Sequence, residues 1–296
     1  MALIPPHFID TVVALGIGDP KKEVAWVATG FFYGRHVGKD PTGQDMWRVY
    51  LVSNRHVLEG HDKLWIRCNP KAGEAAQIFR IRLVDADGNF MWYSSDAEGA
   101  DVAVASINAP VLMEKGMKFD FFTDNGDGAN IEKMNELGIT EGDFAYTIGF
   151  PFGLVGRERN FAIIRGGPIA RMRDLLVHAE TQFLVDSVVF PGNSGGPVIY
   201  KPDALAVQGT KSVNRSYLIG VVTGYLTYRD VAISRQTGQD RVVFEENSGL
   251  ASVQPVDLIE EAVAKHWLTL DARARTLAGS GVSSDSSAHG SPETTA

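Results

Sequence analysis

Along most of the chain, apolar residues come in short runs separated by polar, Gly- or Pro-containing pieces. "WVATGFFYG" (26–34), "RVYLVSNRHV" (48–57), "KLWIRC" (63–68) and "QIFRIRLV" (77–84) are rich in aromatic and β-branched residues. "DVAVASI" (101–107) alternates strictly, as a strand with one buried face does. A polar, acidic stretch (120–143) follows. The runs then resume with "FAYTIGF" (144–150), "FAIIRG" (161–166), "TQFLVDSVV" (181–189), "PVIY" (197–200) and "YLIGVVTGYL" (217–226). Many short strands without amphipathic helices between them predict an all-β fold, a sandwich or a pair of barrels. The two strand clusters, about 10–119 and 144–254, read as two halves joined by the connector 120–143.

The period changes near the end. In "PVDLIEEAVAKHWLTL" (255–270), Leu258, Ile259, Ala262, Val263, Trp267 and Leu270 recur at helical spacing, and Pro255 suits a helix start. This predicts a C-terminal α-helix packed on the second half. From 278 to 296 the chain is rich in Ser, Gly, Thr and Pro and is expected to be a disordered tail, leaving 1–277 as the folded domain. The first residues, His7 among them, are expected to be flexible. The 223–249 segment is long and polar enough for a mobile loop.

Composition narrows the class. Of 296 residues, 44% are hydrophobic and 22% charged, as in ordinary globular proteins. The net charge of −8 and the lack of a basic run argue against nucleic acid as a partner. No long uninterrupted apolar stretch predicts a membrane span, and "MALIPPHFIDTVVALGIGDP" does not read as a secretory signal. With Cys68 as the sole cysteine, an internal disulfide is impossible, so a cytoplasmic protein is expected. Cys68 itself reads as a small core residue. "DNGDG" (124–128) lacks the acidic spacing of a calcium loop, and no metal or other cofactor is expected.

The stretch most suggestive of chemistry is "FPGNSGGPVIY" (190–200), where one hydroxyl stands among turn-forming residues. A serine nucleophile needs a base, a group that orients the base, and donors for the oxyanion. Glycines let the Gly192 and Ser194 amides converge on one point and leave room for a substrate. Of seven histidines, His36 reads as part of a polar hairpin loop and His266 as a packing residue in the C-terminal helix. His56, in "SNRHVLEG", stands at a sheet rim. Asp101, opening an apolar strand, needs a partner for its carboxylate, and an imidazole N–H is one.

The order His56, Asp101, Ser194 is that of a chymotrypsin-type triad. The chain resembles a trypsin-like serine peptidase, closest to the bacterial HtrA-type branch. "LVSNRHVL" resembles that branch's histidine strand, "ADVAV" its aspartate strand, and "GDFAYTIGFPFGL" the opening of its second barrel. "FLVDSVVFPGNSGGPVI" is similar to its nucleophile loop, and "ATGFFYG" to a first-barrel strand.

The resemblance implies two six-stranded antiparallel β-barrels with the site in the cleft between them. It implies Ser194 as nucleophile, His56 as base and then acid, Asp101 as its orienting group, and the Gly192 and Ser194 amides as oxyanion hole. A polypeptide would be the substrate. Val188, Val189, Phe190, Thr223, Gly224 and Tyr225 would line an S1 pocket whose apolar character suits small or medium apolar P1 residues. The chain departs from the family in two ways. A PDZ domain is not expected in the short stretch after the last strand. Asn193 replaces the Asp that pairs with a freed N-terminus in zymogens, so no dependence on N-terminal cleavage is expected.

Two other readings use the same residues. Gly192-Asn193-Ser194-Gly195-Gly196 also fits the G-x-S-x-G elbow of α/β-hydrolase esterases, with Asp257 and His266 downstream. "GGPVIY" after the serine is a poor helix, however, and the βα alternation of that fold is missing. A catalytically inactive peptide-binding or scaffold module of the same fold is the other.

Overall fold

The computed structural model of the chain describes residues 4–203 and 208–280, so the expected tail lies, from 281, outside the described residues. The N-terminal segment is docked rather than loose. Helix α1 (Pro6–Asp10) buries Phe8, and Thr11 Oγ1 donates to Phe8 O at 2.8 Å. The chain then forms β1 (Val12–Asp19), β2 (Glu23–Lys39), β3 (Asp45–Asn54), a turn of helix α2 (Arg55–Leu58), β4 (Lys63–Cys68), β5 (Gln77–Arg82), β6 (Trp92–Ser94), β7 (Val102–Ser106) and α3 (Ala109–Glu114). Strand order is β5-β4-β1-β2-β3-β7-β6, every neighbouring pair antiparallel. The sheet curls: a bridge between Val84 and Phe90 draws the segment after β5 to the segment before β6.

The polar connector is more ordered than its composition predicts. It contributes β8 (Phe122–Thr123), which pairs parallel with β2 and brings the seven antiparallel strands to a sheet of eight, where six were expected. It also contributes α4 (Ile131–Leu137), capped by Asn130 and closed by Gly138 at φ +76°. Phe122 docks the start of the polar stretch in one core, and Ala129, Ile131, Met134 and Ile139 dock the rest in the core of the second half.

The second half forms β9 (Phe144–Gly149), β10 (Ile163–Arg171), α5 (Arg173–Leu176), β11 (Phe183–Asp186), β12 (Pro197–Tyr200), β13 (Tyr217–Ile233) and β14 (Asp240–Pro255). These strands close a six-stranded barrel in the order β10-β11-β14-β13-β12-β9. Glu141 organises the entry to α5. Its Oε1 accepts the N–H groups of Met172 (2.8 Å) and Arg173 (2.7 Å), and its Oε2 faces Arg173 Nε at 2.9 Å.

Two expectations fail here. The 223–249 segment is not a loop: β13 and β14 run on past the barrel as a two-stranded arm that turns at 234–239. Aromatic and β-branched residues on both strands outweigh the polarity between them. The last helix, α6 (Asp257–Ser280), packs mainly on β6 and β7 of the first half, not on the second. Leu258, Ile259, Ala262 and Val263 join a buried cluster with Phe31, Tyr50, Val104, Ile148 and Leu218, which spans both halves. Alanine and arginine carry α6 beyond 270. Among the described residues, no helix is long and apolar enough to cross a membrane.

Candidate active site

His56 sits in α2, directly after β3 leaves the sheet, and Asp101 immediately precedes β7, the neighbour of β3. Sheet pairing therefore brings them together. His56 Nδ1 lies 2.7 Å from Asp101 Oδ2, and Asp101 Oδ1 accepts the His56 backbone N–H at 3.0 Å. Behind Asp101, Gln254 Oε1 accepts the Asp101 N–H (2.8 Å) while Gln254 Nε2 donates to Gly99 O (2.7 Å), tying the pair to β14 of the second half. The Asp101 side chain is 26% exposed, so it is less enclosed than its apolar strand predicts, because it stands at the strand's entry.

Ser194 lies in a turn between β11 and β12 that is pinned to both halves. Gly195 N–H donates to Val222 O (2.8 Å), Asn193 N–H to Phe190 O (2.9 Å) and Gly196 N–H to Asn193 O (2.9 Å). Asn193 is buried, and its Oδ1 accepts the Phe190 N–H at 3.0 Å, so its polar side chain is satisfied inside the turn. In contrast, the N–H groups of Gly192 and Ser194 have no acceptor among the described residues. The turn requires its glycines. Gly192 has φ +102° and Gly195 φ +83°, and a Cβ on Gly192 would overlap Phe150 O.

Thr29 on β2 sets this turn from the opposite half. Its N–H donates to Ser194 O (2.9 Å), its Oγ1 donates to Gly192 O (2.6 Å) and accepts the Phe150 N–H (3.0 Å), and its O accepts Ser53 Oγ (2.8 Å). Ser53 in turn abuts Gly195, three residues before His56. The segment that carries the histidine and the turn that carries the serine are thus neighbours across the two halves. Among the described residues no hydrogen bond joins Ser194 Oγ to His56 Nε2.

A cavity of about 170 Å³ opens beside Ser194, lined by Val189, Phe190, Pro191, Val222, Gly224 and Tyr225 together with Asn193 and Ser194. Of the six S1 residues expected from the sequence, Val189, Phe190, Gly224 and Tyr225 line it. Val188 points to solvent beside Gly249, and Thr223 Oγ1 turns away to Ser252 O at 3.2 Å. Thr223 lies on β13, where alternation turns it away from Val222 and Gly224, whereas Val188 lies in the irregular segment after β11. Among the lining side chains there is no charge.

The segment after β9 packs against the cavity residues Phe190 and Pro191. Phe152 holds φ +55°, uncommon for a bulky residue, and stacks on Phe190 with ring centres 4.6 Å apart, while its N–H donates to Pro191 O (2.7 Å). From the first half, Arg67 on β4 clamps the rest of this segment, donating to the carbonyls of Val155, Gly156 and Arg157 at 3.1 Å each.

The other candidates fall elsewhere. His36 belongs to β2 rather than a loop, with Nε2 3.0 Å from Asp45 Oδ1. His266 is buried on α6, with Nδ1 3.0 Å from Tyr50 Oη. Cys68 is buried, which pushes its thiol up to about 12. Sequence reasoning missed Thr29, Gln254 and Arg67. Only Thr29 left a signal, lying inside the quoted "ATGFFYG".

A curled sheet and a closed barrel, all antiparallel but for β8, with a glycine-framed serine between them, are consistent with the chymotrypsin-like class of fold. The chain belongs to the trypsin-like peptidase domain family, whose model matches residues 28–204 and so includes His56, Asp101 and Ser194. Comparison with curated proteins found no match.

Proposed function

We propose that the protein is a serine endopeptidase of the HtrA-type branch, acting on small or medium apolar P1 residues. The observation that carries the reading is the pair of unengaged amides, Gly192 and Ser194, framing the Ser194 hydroxyl in a turn whose other amides are all committed. Ser194 Oγ attacks the peptide carbonyl and passes its proton to His56 Nε2. Asp101, accepting the Nδ1 proton, fixes that tautomer. The carbonyl oxygen becomes an oxyanion held by the two amides. His56 then protonates the leaving amine, and water hydrolyses the acyl-enzyme with His56 again as base. The uncharged cavity disfavours a bare ammonium or guanidinium. A reducing compartment, the cytoplasm, fits the single cysteine.

Labelling with a fluorophosphonate probe, followed by peptide mapping, tests this. Modification at Ser194 that disappears in His56→Ala supports the mechanism. No labelling in the folded protein overturns it. One observation favours a second reading, a peptide-binding module without turnover: no hydrogen bond joins Ser194 to His56 among the described residues. Catalytic hydrogen bonds often tighten only with substrate bound, so we prefer the peptidase.

A further inference from the structure

Gln254 belongs to one half of the molecule by its backbone and reaches the other by its side chain. Near the end of β14 it pairs with Val221 of β13. The next residue of β13, Val222, holds the serine turn, accepting the Gly195 N–H at 2.8 Å and donating its own N–H to Gly196 O at 2.9 Å. Strand pairing therefore fixes Gln254 relative to Ser194. The side chain points the other way, to the first half. Oε1 accepts the Asp101 N–H at 2.8 Å, and Nε2 donates to Gly99 O at 2.7 Å. A carboxamide makes both bonds at once because it carries an acceptor and a donor side by side. Gln254 is buried, so little water competes for either group.

The chain that delivers Asp101 has little else to hold it. From Ser95 to Ala100 it runs between β6 and β7 without strand pairing, and it turns at Gly99 with φ +74°. Its internal bonds are local: Ala97 N–H to Ser95 Oγ (3.0 Å) and Ala100 N–H to Ala97 O (3.1 Å). Among the described residues, no side chain but that of Gln254 bonds the backbone of 99–101. The start of the segment is held by the same C-terminal unit. Glu261 on α6 accepts the Ser95 hydroxyl, and Lys265 pairs with Asp96. An apolar residue at 254 would fill the space, but it would leave Gly99 O and the Asp101 N–H unpaired.

We propose that Gln254 is a positioning residue of the hydrolytic site: it sets Asp101, and through Asp101 the His56 ring, in register with the serine turn of the other half. The proposal rests on the peptidase reading. Gln254 touches no substrate and carries no proton. It acts through Asp101, whose carboxylate holds His56 by ring and backbone.

The test removes both bonds and keeps the length of the side chain, by Gln254→Met. For a peptide substrate, kcat should fall on the order of tenfold to a hundredfold at unchanged KM, since a misplaced base is costly while the cavity is untouched. Added to Asp101→Asn, the same change should cost less than about twofold more, because the pair it aligns is already broken. Rates of fluorophosphonate labelling replace turnover where hydrolysis is too slow. The second readout is the His56 ring. Its nitrogen shifts, read by NMR through the carbon-bound protons at alkaline pH, should show the Nδ1–H tautomer alone in the native chain and a mixture in Gln254→Met. If Gln254→Met does not fold, Gln254→Asn, one methylene too short to reach both groups, is read in its place. An equal loss in both backgrounds, a loss confined to melting temperature, or an unchanged tautomer overturns the proposal. A native chain that neither hydrolyses peptides nor takes the probe defeats the peptidase reading alone. The tautomer of His56 in parent and variant then decides the role of Gln254.

Discussion

Asp101 holds His56 twice, through the ring and through the backbone: Oδ2 lies 2.7 Å from Nδ1 and Oδ1 accepts the main-chain N–H at 3.0 Å. The imidazole is therefore fixed in position and in tautomer by one carboxylate. Replacing Asp101 by Asn keeps the shape but puts a donor where an acceptor stood. Turnover of a peptide substrate by Asp101→Asn should fall by roughly 10³–10⁴ at neutral pH with the melting temperature little changed. Native turnover would remove Asp101 from the mechanism.

Thr29 acts at a distance from any substrate. Thr29→Val removes the hydroxyl that links Gly192 O to Phe150 N–H, leaving two buried groups unpaired. Stability should drop by about 1–3 kcal/mol. Because the turn loses its setting, kcat should fall on the order of tenfold to a hundredfold while KM moves little. Thr29→Ser should restore kcat. If Val lowers only the denaturation midpoint, Thr29 is purely structural.

Glu141 makes the protein acid-sensitive. Burial opposes its ionisation, but the N–H groups of Arg173 and Met172 outweigh this and bring its carboxyl down to about 2. With the folded value below the ordinary carboxylate range, its contribution is complete above roughly pH 4.5 and declines as pH falls toward about 2. Glu141→Gln should cost about 1–2 kcal/mol at pH 7, read as a shift in urea midpoint. The difference between variant and parent should shrink as pH falls through that window. A constant difference from pH 7 to 2 would contradict the assignment.

His266 is buried against Tyr50 and Tyr93. His266→Ala should lower stability by about 2–4 kcal/mol through the lost packing and hydrogen bond. Peptide turnover per folded molecule should stay at the parent value. Loss of turnover in fully folded His266→Ala would instead favour the esterase order of residues.

What the sequence made legible was local. The alternation in "DVAVASI" marks β7, although that strand is buried on both faces and not on one, and the glycines around Ser194 mark a turn that only positive φ angles allow. What it hid was tertiary. The stripe on α6 shows that one face is buried but not that β6 and β7 do the burying. The arm has a polar composition, yet its cross-strand register makes it a ribbon. Thr29 reads as one more residue of an apolar strand, because its importance lies in a turn 163 residues away. Val188 and Thr223 were placed in the pocket by neighbourhood along the chain, whereas alternation on β13 turns Thr223 outward and Val188 points to solvent from the irregular segment after β11.

Thr29 belongs to the first sheet and the turn it sets belongs to the second barrel, so the setting of the unengaged Gly192 and Ser194 amides is a property of the joined molecule. Severed within 120–143, the second half would keep every strand of its closed barrel, yet its serine turn would lack the two donors that hold the carbonyls of Gly192 and Ser194. Reactivity toward a serine-directed probe would then behave as fragment complementation, silent in either piece and appearing in proportion to their reassociation.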